Sequence, residues 1–578
     1  MKKIRYIITA AALLLASCDL TENQQATADR KMIFGSETGM KNYVYSFYNK
    51  LPNYDNAFKK DLTSDYGAKN SIGTYEAGAY TTETSTSWSW SDLRNVNYFI
   101  KYNTDAGVSE TIRNNYTGIA KFFRAYFYFD KLVTYGEVPW IDEPLEPEDP
   151  RLYAGRDTRD VIITKMIEDL DYAYANITTS GITGNSNTVN KWTPLLFKSR
   201  VCLFEASWRK YHANTDYVKG CTIPADELFR QAAEAAKTVM DDGPYKIHTG
   251  TAYANGRGAY RDLFISDNTV TEEVMLAVSL DKVLQLGEQN WYLNSSTYGP
   301  HLCMTRPFAK TYLNIDGTFY NEKKADGTYK NFIEETTGRD LRLNQTIRGY
   351  DYTRKDSKGN YVPTSANFTG HTLTGYQFTK YVMDDVSYDD GRTNDNDIPI
   401  FRYAEVLLNY AEAKAELGTL TDADWRASIG ELRRRAASRA GRSTPNPRPW
   451  TPTCKRPTTR ILPTPCSRDT PRPRNRALPR GNAPNRPQTL GLRQPVAGCR
   501  VDGNVHSGTG HAAGHERRRC ERRLLHDRHQ VFGPAQGNRR IPDRRPERET
   551  AHRRPEQRIR NVLQRNLAHL ERQHVPLP

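Results

Sequence analysis

Cysteine is scarce in the first 440 residues, and the few that occur exclude two classes of protein. Cys18 closes an apolar run near the amino terminus, and three more follow it, namely Cys202, Cys221 and Cys303. Their number is odd and no pair has the spacing of zinc ligands, so neither a disulfide framework nor a zinc site is predicted. Cys202 lies in an apolar helical pattern, which favours a buried free thiol.

The motifs of common enzymes are also missing from this part of the chain. It contains no HExxH, no GxxxxGK[ST] and no Ser-His-Asp order, and its histidines are His212, His248, His301 and His371. An enzyme is therefore not predicted. A glycosidase needs only two carboxylates, which any chain of this length supplies, so it stays open as a distant alternative.

The sequence contains no apolar run long enough to cross a bilayer. Its longest apolar run lies at the amino terminus. It extends from Ile7 to Ala16 behind three basic residues, well short of the roughly 20 residues that cross a bilayer. This layout predicts a signal peptide over residues 1–17. The sequence LASC (15–18) resembles a bacterial lipobox, so a lipid anchor on Cys18 is expected. The alternative is an ordinary signal peptide followed by a chance cysteine.

The last quarter of the chain lacks tyrosine and is rich in arginine and proline. Residues 441–578 contain 29 Arg, one Lys and 10 acidic residues, for a net charge of +20, and hold 19 of the 31 Pro. Residues 1–440 contain 52 basic and 57 acidic residues, for a net charge of −5. The segment 438–578 has too few apolar and aromatic side chains to offset chain entropy, so it is predicted to be disordered.

So abrupt a change of composition is what a GC-rich gene gives when it is read out of frame. Codons can be chosen for TPTCKRPTTRILPTPC (451–466) so that the third base starts the frame Pro-Tyr-Leu-Gln-Ala-Thr-Tyr-Tyr-Pro-Asp-Ile-Thr-Asp-Ala-Val. That text has the aromatic, balanced composition of the first 440 residues. A frameshift between Ala436 and Arg439 is therefore expected. The alternative is a genuine basic arm for the phosphates of nucleic acid or lipopolysaccharide, and an exported lipoprotein argues against nucleic acid.

Helical periodicity recurs from residue 114 onward and indicates helices that pack in pairs. The first helix is expected to end at Gly136 and Pro139. Between Thr249 and Asn396 the periodicity weakens, and short strands and surface loops are expected there. The predicted helices lie within 114–140, 159–177, 191–212, 225–240, 398–418 and 422–435.

Three segments, together with the lipobox, resemble the SusD/RagB-like nutrient-binding lipoproteins of Gram-negative outer membranes. AKFFRAYFYFDKLVTYGEVPWI (120–141) is similar to that family's stretch of Arg-Ala and aromatics followed by Val-Pro. DIPIFRYAEVLLNYAEAKAELG (397–418) resembles its most diagnostic helix, and WSDLRNVNYFI (90–100) fits the same picture. The resemblance covers about residues 15–437.

The resemblance implies a mainly α fold over residues 18–437, in which a tetratricopeptide-like scaffold of helix pairs carries long ligand-binding loops and a few short strands. It also implies a lipoprotein on the outer membrane, exposed at the cell surface in the family's usual manner, that captures an oligosaccharide or a peptide nutrient. Its partner would be a SusC-like, TonB-dependent barrel transporter, and no catalysis is implied. The alternative is a tetratricopeptide-like envelope scaffold that binds protein partners.

Flat aromatic side chains are the residues from which a sugar site is expected to be built, because sugar rings present apolar faces. The candidates are Trp88, Trp291, Tyr292 and Tyr298. Ordinary packing is the more frequent role of large aromatic side chains. Trp90 lies where the family resemblance places a core residue.

The acidic stretch YDDGRTNDND (388–397) has enough carboxylates to bind Ca²⁺. It lacks the positional pattern of an EF-hand loop, and a solvated acidic loop is the simpler interpretation. No metal site is therefore predicted, and no cofactor is expected apart from the lipid on Cys18.

Overall fold

The computed structural model describes residues 30–53, 64, 66–74, 77–79, 81, 87–178, 186–294, 301–368 and 370–436. The signal peptide, Cys18, Tyr298 and the segment 438–578 lie outside these residues, so the expectations about them stay predictions. Within the described ranges, no helix is both long and apolar enough to span a membrane.

Helices dominate the described chain, and the mainly α fold is confirmed. The α-helices are α1 (Glu37–Tyr45), α2 (Ser91–Tyr102), α3 (Glu110–Tyr135), α4 (Arg159–Asn176), α5 (Thr193–Tyr211), α6 (Ala225–Asp242), α7 (Ala259–Ile265), α8 (Gln289–Asn294), α9 (Arg306–Ala309), α10 (Phe332–Thr336), α11 (Leu341–Asn344), α12 (Tyr403–Glu416), α13 (Asp422–Trp425) and α14 (Glu431–Ala436). A π-helical stretch, Arg426–Gly430, joins α13 to α14.

Short strands form three antiparallel pairs. The strands are β1 (Gly67–Ala68), β2 (Val274–Val278), β3 (Cys303–Met304), β4 (Thr353–Lys355), β5 (Tyr361–Pro363) and β6 (Ile398–Arg402). β1 pairs with β3, β2 with β6, and β4 with β5.

Local sequence signals set the ends of the longest helices. The Ser109 and Thr158 hydroxyls each accept a hydrogen bond from a backbone N–H in the first turn of α3 and α4, which satisfies a donor that the helix leaves free. Gly136 follows α3 with a φ of 72°, a conformation that favours glycine. The predicted end of this helix at Gly136 is therefore confirmed.

The helices pack in pairs and form what we call the helical scaffold, residues 91–242 and 398–436. α3 packs against α4, α5 against α6, and α12 against both α5 and α6. Gly118 allows α3 to approach α4, because a Cβ there would lie 2.9 Å from a side-chain carbon of Ile177. Cys202 in α5 is buried and unpaired, as expected, and burial raises the pKa of its thiol to about 12.

The helix predicted over 398–418 is wrong in its first turn. Residues Ile398–Arg402 form β6, which is buried along its whole length against β2, and α12 begins only at Tyr403. A short, wholly buried strand shows no alternation, so periodicity cannot distinguish it from a buried helix. Pro399 was not a signal for the strand, because proline is tolerated in the first turn of a helix.

Residues 243–397, which we call the loop-rich region, carry all but one of the buried residues of a second hydrophobic cluster. The buried members of this smaller cluster are Tyr66, Leu293, Leu302, Met304, Ala309, Tyr312, Leu343, Ile347, Tyr376, Phe378 and Val382. The larger cluster fills the helical scaffold and includes β2 and β6. The expected weakening of regular structure between Thr249 and Asn396 is observed as loops, short helices and strands.

Candidate functional site

Trp88 lies at a corner where the segment before α2 meets the end of α3. Its ring contacts Trp90 and Tyr135, with centroids 5.1 Å and 4.9 Å away. The Arg156 guanidinium lies 5.4 Å from the ring centre. Despite these neighbours, Trp88 is 44% exposed. An exposed indole fixed by two aromatic rings is a preorganised flat surface.

Hydrogen bonds to the end of α3 hold the segment that carries Trp88. The hydroxyls of Ser87 and Tyr135 lie 2.6 Å apart, and the Lys131 ammonium donates to the Ser87 carbonyl. Arg156 donates to the Tyr135 carbonyl at 3.3 Å. Burial lowers the pKa of Lys131. The corner is therefore both fixed and positively charged at its edge.

Trp291 and Tyr292 lie on α8 and are half-buried. Tyr292 packs against both the larger and the smaller hydrophobic cluster, so its side chain contacts the two cores at once. The aromatic and cationic partners of Trp88 are Trp90, Tyr135 and Arg156, so neither aromatic residue of α8 stacks on Trp88. Tyr298 falls outside the described residues.

The polar side chains of α8 converge on Asp389. Asn290 and Asn294 both donate to its Oδ1, at 3.1 Å and 2.9 Å. The Arg354 guanidinium binds both carboxylate oxygens at 2.8 Å. A single carboxylate thus holds α8 and β4 together, and α8 presents a polar cluster beside its aromatic residues.

The stretch 388–397 differs from the solvated acidic loop that its composition predicts. Asn394 and Asn396 are fully buried, and the buried Asp395 forms an ion pair with Lys282 at 3.0 Å. That interpretation was wrong because irregular chain needs side chains to satisfy buried backbone groups. Among the described residues, no cluster of His, Cys, Asp and Glu is arranged to bind a metal.

Tyr135 and Arg156 support the Trp88 corner but were not predicted from the sequence. Tyr135 had a usable signal, since it is the last residue before the predicted helix end at Gly136 and a helix end is where an aromatic side chain can reach another segment. Arg156 follows a short non-periodic connection, so nothing in the sequence linked it to Trp88.

Comparison with known proteins gives matches to one family. The model of the SusD family matches residues 272–448. A SusD-like protein of Formosa agariphila is 26% identical over 234 residues, which cover 36% of this chain and 44% of that protein. The chain therefore spans less than half the length of this curated relative.

Solved structures share the fold. A SusD-like protein from Bacteroides fragilis has a TM-score of 0.56 and 21% identity, over 70% of this chain and 80% of that one. A SusD-like carbohydrate binding protein from Bacteroides fragilis has a TM-score of 0.54 and 19% identity, over 70% of this chain and 79% of the other. The expected scaffold of helix pairs with added loops is thus also the architecture of these proteins.

Proposed function

We propose that the chain is a member of the SusD/RagB-like family, whose model matches residues 272–448, and that it captures an oligosaccharide at the cell surface without catalysis and delivers it to a TonB-dependent transporter. The lipid on Cys18 anchors it to the outer membrane in this proposal, and a SusC-like barrel is its partner. Support for a saccharide comes from the solved carbohydrate-binding protein of the same fold.

The Trp88 corner is the observation on which the ligand class depends most. A sugar ring stacks its apolar face on an exposed indole, and such contacts contribute on the order of 1 kcal/mol each. Hydroxyls of the same sugar need polar partners at the edge of the ring. The Arg156 guanidinium over the indole and the hydrogen-bonded hydroxyls of Ser87 and Tyr135 are the polar groups proposed for this role.

Retardation in native gels that contain single polysaccharides tests the proposal. At least one glycan is expected to slow the full chain, and Trp88→Ala should weaken its binding roughly tenfold, since it removes the stacking surface. Tyr217→Ala is the matched control, because Tyr217 is also an exposed aromatic residue but lies between α5 and α6. Its affinity should equal that of the unmodified chain.

The scaffold alternative predicts different behaviour. A tetratricopeptide-like scaffold would bind no glycan in these gels and would co-purify with a soluble envelope protein. The capture proposal instead predicts co-purification with an outer-membrane barrel and loss of membrane attachment in Cys18→Ser. Release of reducing ends from the retained glycan would contradict the absence of catalysis.

The proposed function depends on residues 18–437, because the later segment is proposed to be read out of frame. The break in composition near residue 437 and the sensible text of the shifted frame support this proposal. Resequencing codons 430 to 460 is the direct test. An unshifted frame, together with peptides from 441–578 in mass spectra of the native protein, would contradict it.

A further inference from the structure

Buried arginines in the described chain are almost all paired with carboxylates. Those with a carboxylate partner are Arg124, Arg159, Arg209, Arg261, Arg342, Arg354, Arg402 and Arg435. The described ranges contain two exceptions, Arg339 and Arg348, both 5% exposed. A buried charge without a counter-charge costs several kcal/mol, so each exception needs an explanation.

Arg339 is explained by the carbonyl groups around it. Its three nitrogens donate to the carbonyl oxygens of Ala309, Tyr312, Leu313 and Glu335, at 2.7–3.3 Å. Two of these carbonyls lie at the ends of α9 and α10, where a helix carries partial negative charge. Each of its three nitrogens therefore has at least one acceptor, and its role is structural.

Arg348 is not satisfied in this way. One terminal nitrogen donates to the Ser365 carbonyl at 3.2 Å and the other to Asn294 Oδ1 at 2.9 Å. The remaining nitrogen, Nε, is buried and has no hydrogen-bond partner. The nearby Asp389 carboxylate is bound by Arg354 instead. Among the described residues the guanidinium therefore has no directly bound carboxylate, and one of its nitrogens lacks an acceptor.

His371 has the same deficiency and lies in the electric field of Arg348. Its Nδ1 is buried without a hydrogen-bond partner. Burial and the Arg348 charge lower the pKa of its imidazole. Among the described residues neither Arg348 Nε nor His371 Nδ1 has a partner. Arg348 Nε can donate to an anion directly, and His371 Nδ1 can do so once an anion has favoured its protonated form.

We propose that Arg348 and His371 bind the anionic group of an acidic saccharide, either a uronate carboxylate or a sulfate ester. This deepens the proposed function and rests on it, since it assigns the captured glycan a negative charge. Guanidinium groups bind carboxylate and sulfate oxygens through two parallel N–H donors, one of which can be Nε. In the proposal the anion supplies a counter-charge to the guanidinium and accepts hydrogen bonds from the two nitrogens that lack a partner.

An aromatic surface follows Ser365 on the same loop. Phe368 is 63% exposed, and its ring lies so close to Gly375 that a Cβ there would be 2.6 Å from the ring. Gly375 also has a φ of 84°, a conformation that L side chains rarely adopt. The glycine thus leaves room for an exposed ring three residues after Ser365, whose carbonyl accepts from Arg348, and in the proposal this ring stacks on the sugar that carries the charge.

Calorimetric titration of the full chain tests the proposal with oligogalacturonate, its methyl ester, a sulfated carrageenan oligosaccharide and a neutral galactan oligosaccharide. We expect oligogalacturonate to bind at least tenfold tighter than its ester, or the sulfated probe at least tenfold tighter than galactan. The first result identifies a carboxylate and the second a sulfate. Arg348→Gln should abolish the difference, whereas Arg306→Gln, at a more exposed arginine paired with Glu335, should retain it.

A readout that needs no substitution guards against misfolding of the Arg348 variant. In full-length chain with ¹⁵N-labelled histidine, inorganic sulfate or galacturonate should raise the pKa of His371, because a bound anion stabilises the imidazolium. An unchanged His371 titration with both anions overturns the proposal. Equal affinity for charged and neutral glycans also overturns it but leaves glycan capture intact. Absence of all glycan binding together with a shifted His371 titration contradicts the proposed function alone.

Discussion

The helical scaffold and the loop-rich region satisfy their buried polar groups in different ways. Helices of the scaffold bond their own backbone, so buried charges pair with each other across helices, as Arg159 does with Glu205. In the loop-rich region buried charges also pair, but the same side chains bond backbone carbonyls as well. Arg261 donates to the carbonyls of Gly256, Thr379 and Val382. Side chains there take the place of secondary structure.

Removing Arg261 should have the largest effect on stability, because its loss leaves three carbonyls and the Asp384 carboxylate without this donor. We expect Arg261→Ala to lower the unfolding free energy by about 5 kcal/mol or to unfold the loop-rich region outright. Urea titration measures the loss of unfolding free energy, and hydrogen exchange shows whether the loop-rich region has unfolded. Arg257→Ala is the control, since Arg257 also binds Asp384 but is partly exposed, and about 1 kcal/mol is expected. Equal losses would contradict the difference between the two roles.

Removing Glu205 should destabilise the scaffold somewhat less. Its buried carboxylate accepts from Arg159 and Arg209, so Glu205→Ala leaves two guanidiniums without it and should cost about 3–5 kcal/mol. Calorimetric melting measures the loss. Glu168→Ala removes an exposed carboxylate from the neighbouring helix and should leave the melting temperature unchanged. A similar shift in both variants would mean that burial does not decide the effect.

Asp397, at the end of the loop-rich region, should make stability depend on pH. Burial raises the pKa of its carboxyl to about 6, so the folded state binds this proton more tightly than the unfolded state. Its stabilising contribution is complete below about pH 4 and is lost as the pH rises through about 6. Asp397→Asn removes this titration. As the pH rises from 4 to 7, the unfolding free energy of the variant should therefore increase by roughly 2–3 kcal/mol relative to that of the unmodified chain.

A scaffold carboxylate should show the opposite slope. Asp424 accepts from Tyr410 and Thr421, and its pKa is lowered to about 2 despite partial desolvation. Its contribution is therefore present above about pH 4 and is lost as the pH falls through about 2. Urea titrations of Asp397→Asn and Asp424→Asn at several pH values measure both slopes. Slopes of the same sign would contradict this assignment.

Two glycines should show the smallest and most selective effects. Gly118 is needed for space, because a Cβ would meet α4, whereas Gly359 lies in open space with a φ of 83°. Alanine at either position should cost about 1–2 kcal/mol. Asparagine, which adopts positive φ more readily, should restore Gly359 but not Gly118. Thermal melting of the four variants tests this, and rescue at both positions would refute the spatial role of Gly118.

Periodicity predicted most helices of the scaffold, although not α2 or the strand Ile398–Arg402, and it predicted little of the loop-rich region. α4 ends at Asn176, one residue from the predicted end, because its pattern and cap are local. The buried positions of Arg261 and Arg348 could not be read from the sequence, since arginine is usually exposed and its partners are distant in the chain. At the candidate site, the sequence identified Trp88 as an aromatic candidate, but its fixation by Tyr135 depends on where α3 ends in space.

Glu273 has a consequence for the order in which the protein folds. Its buried carboxylate binds Arg402 and also Arg435, which is 162 residues away along the chain. Contacts between such distant residues form slowly, because a long loop must close before they can contribute. During synthesis Glu273 emerges before α14, so its carboxylate lacks the Arg435 partner until the last described helix is made. Nascent chains that stop before Arg435 should therefore need chaperones for longer than chains that include the whole of α14.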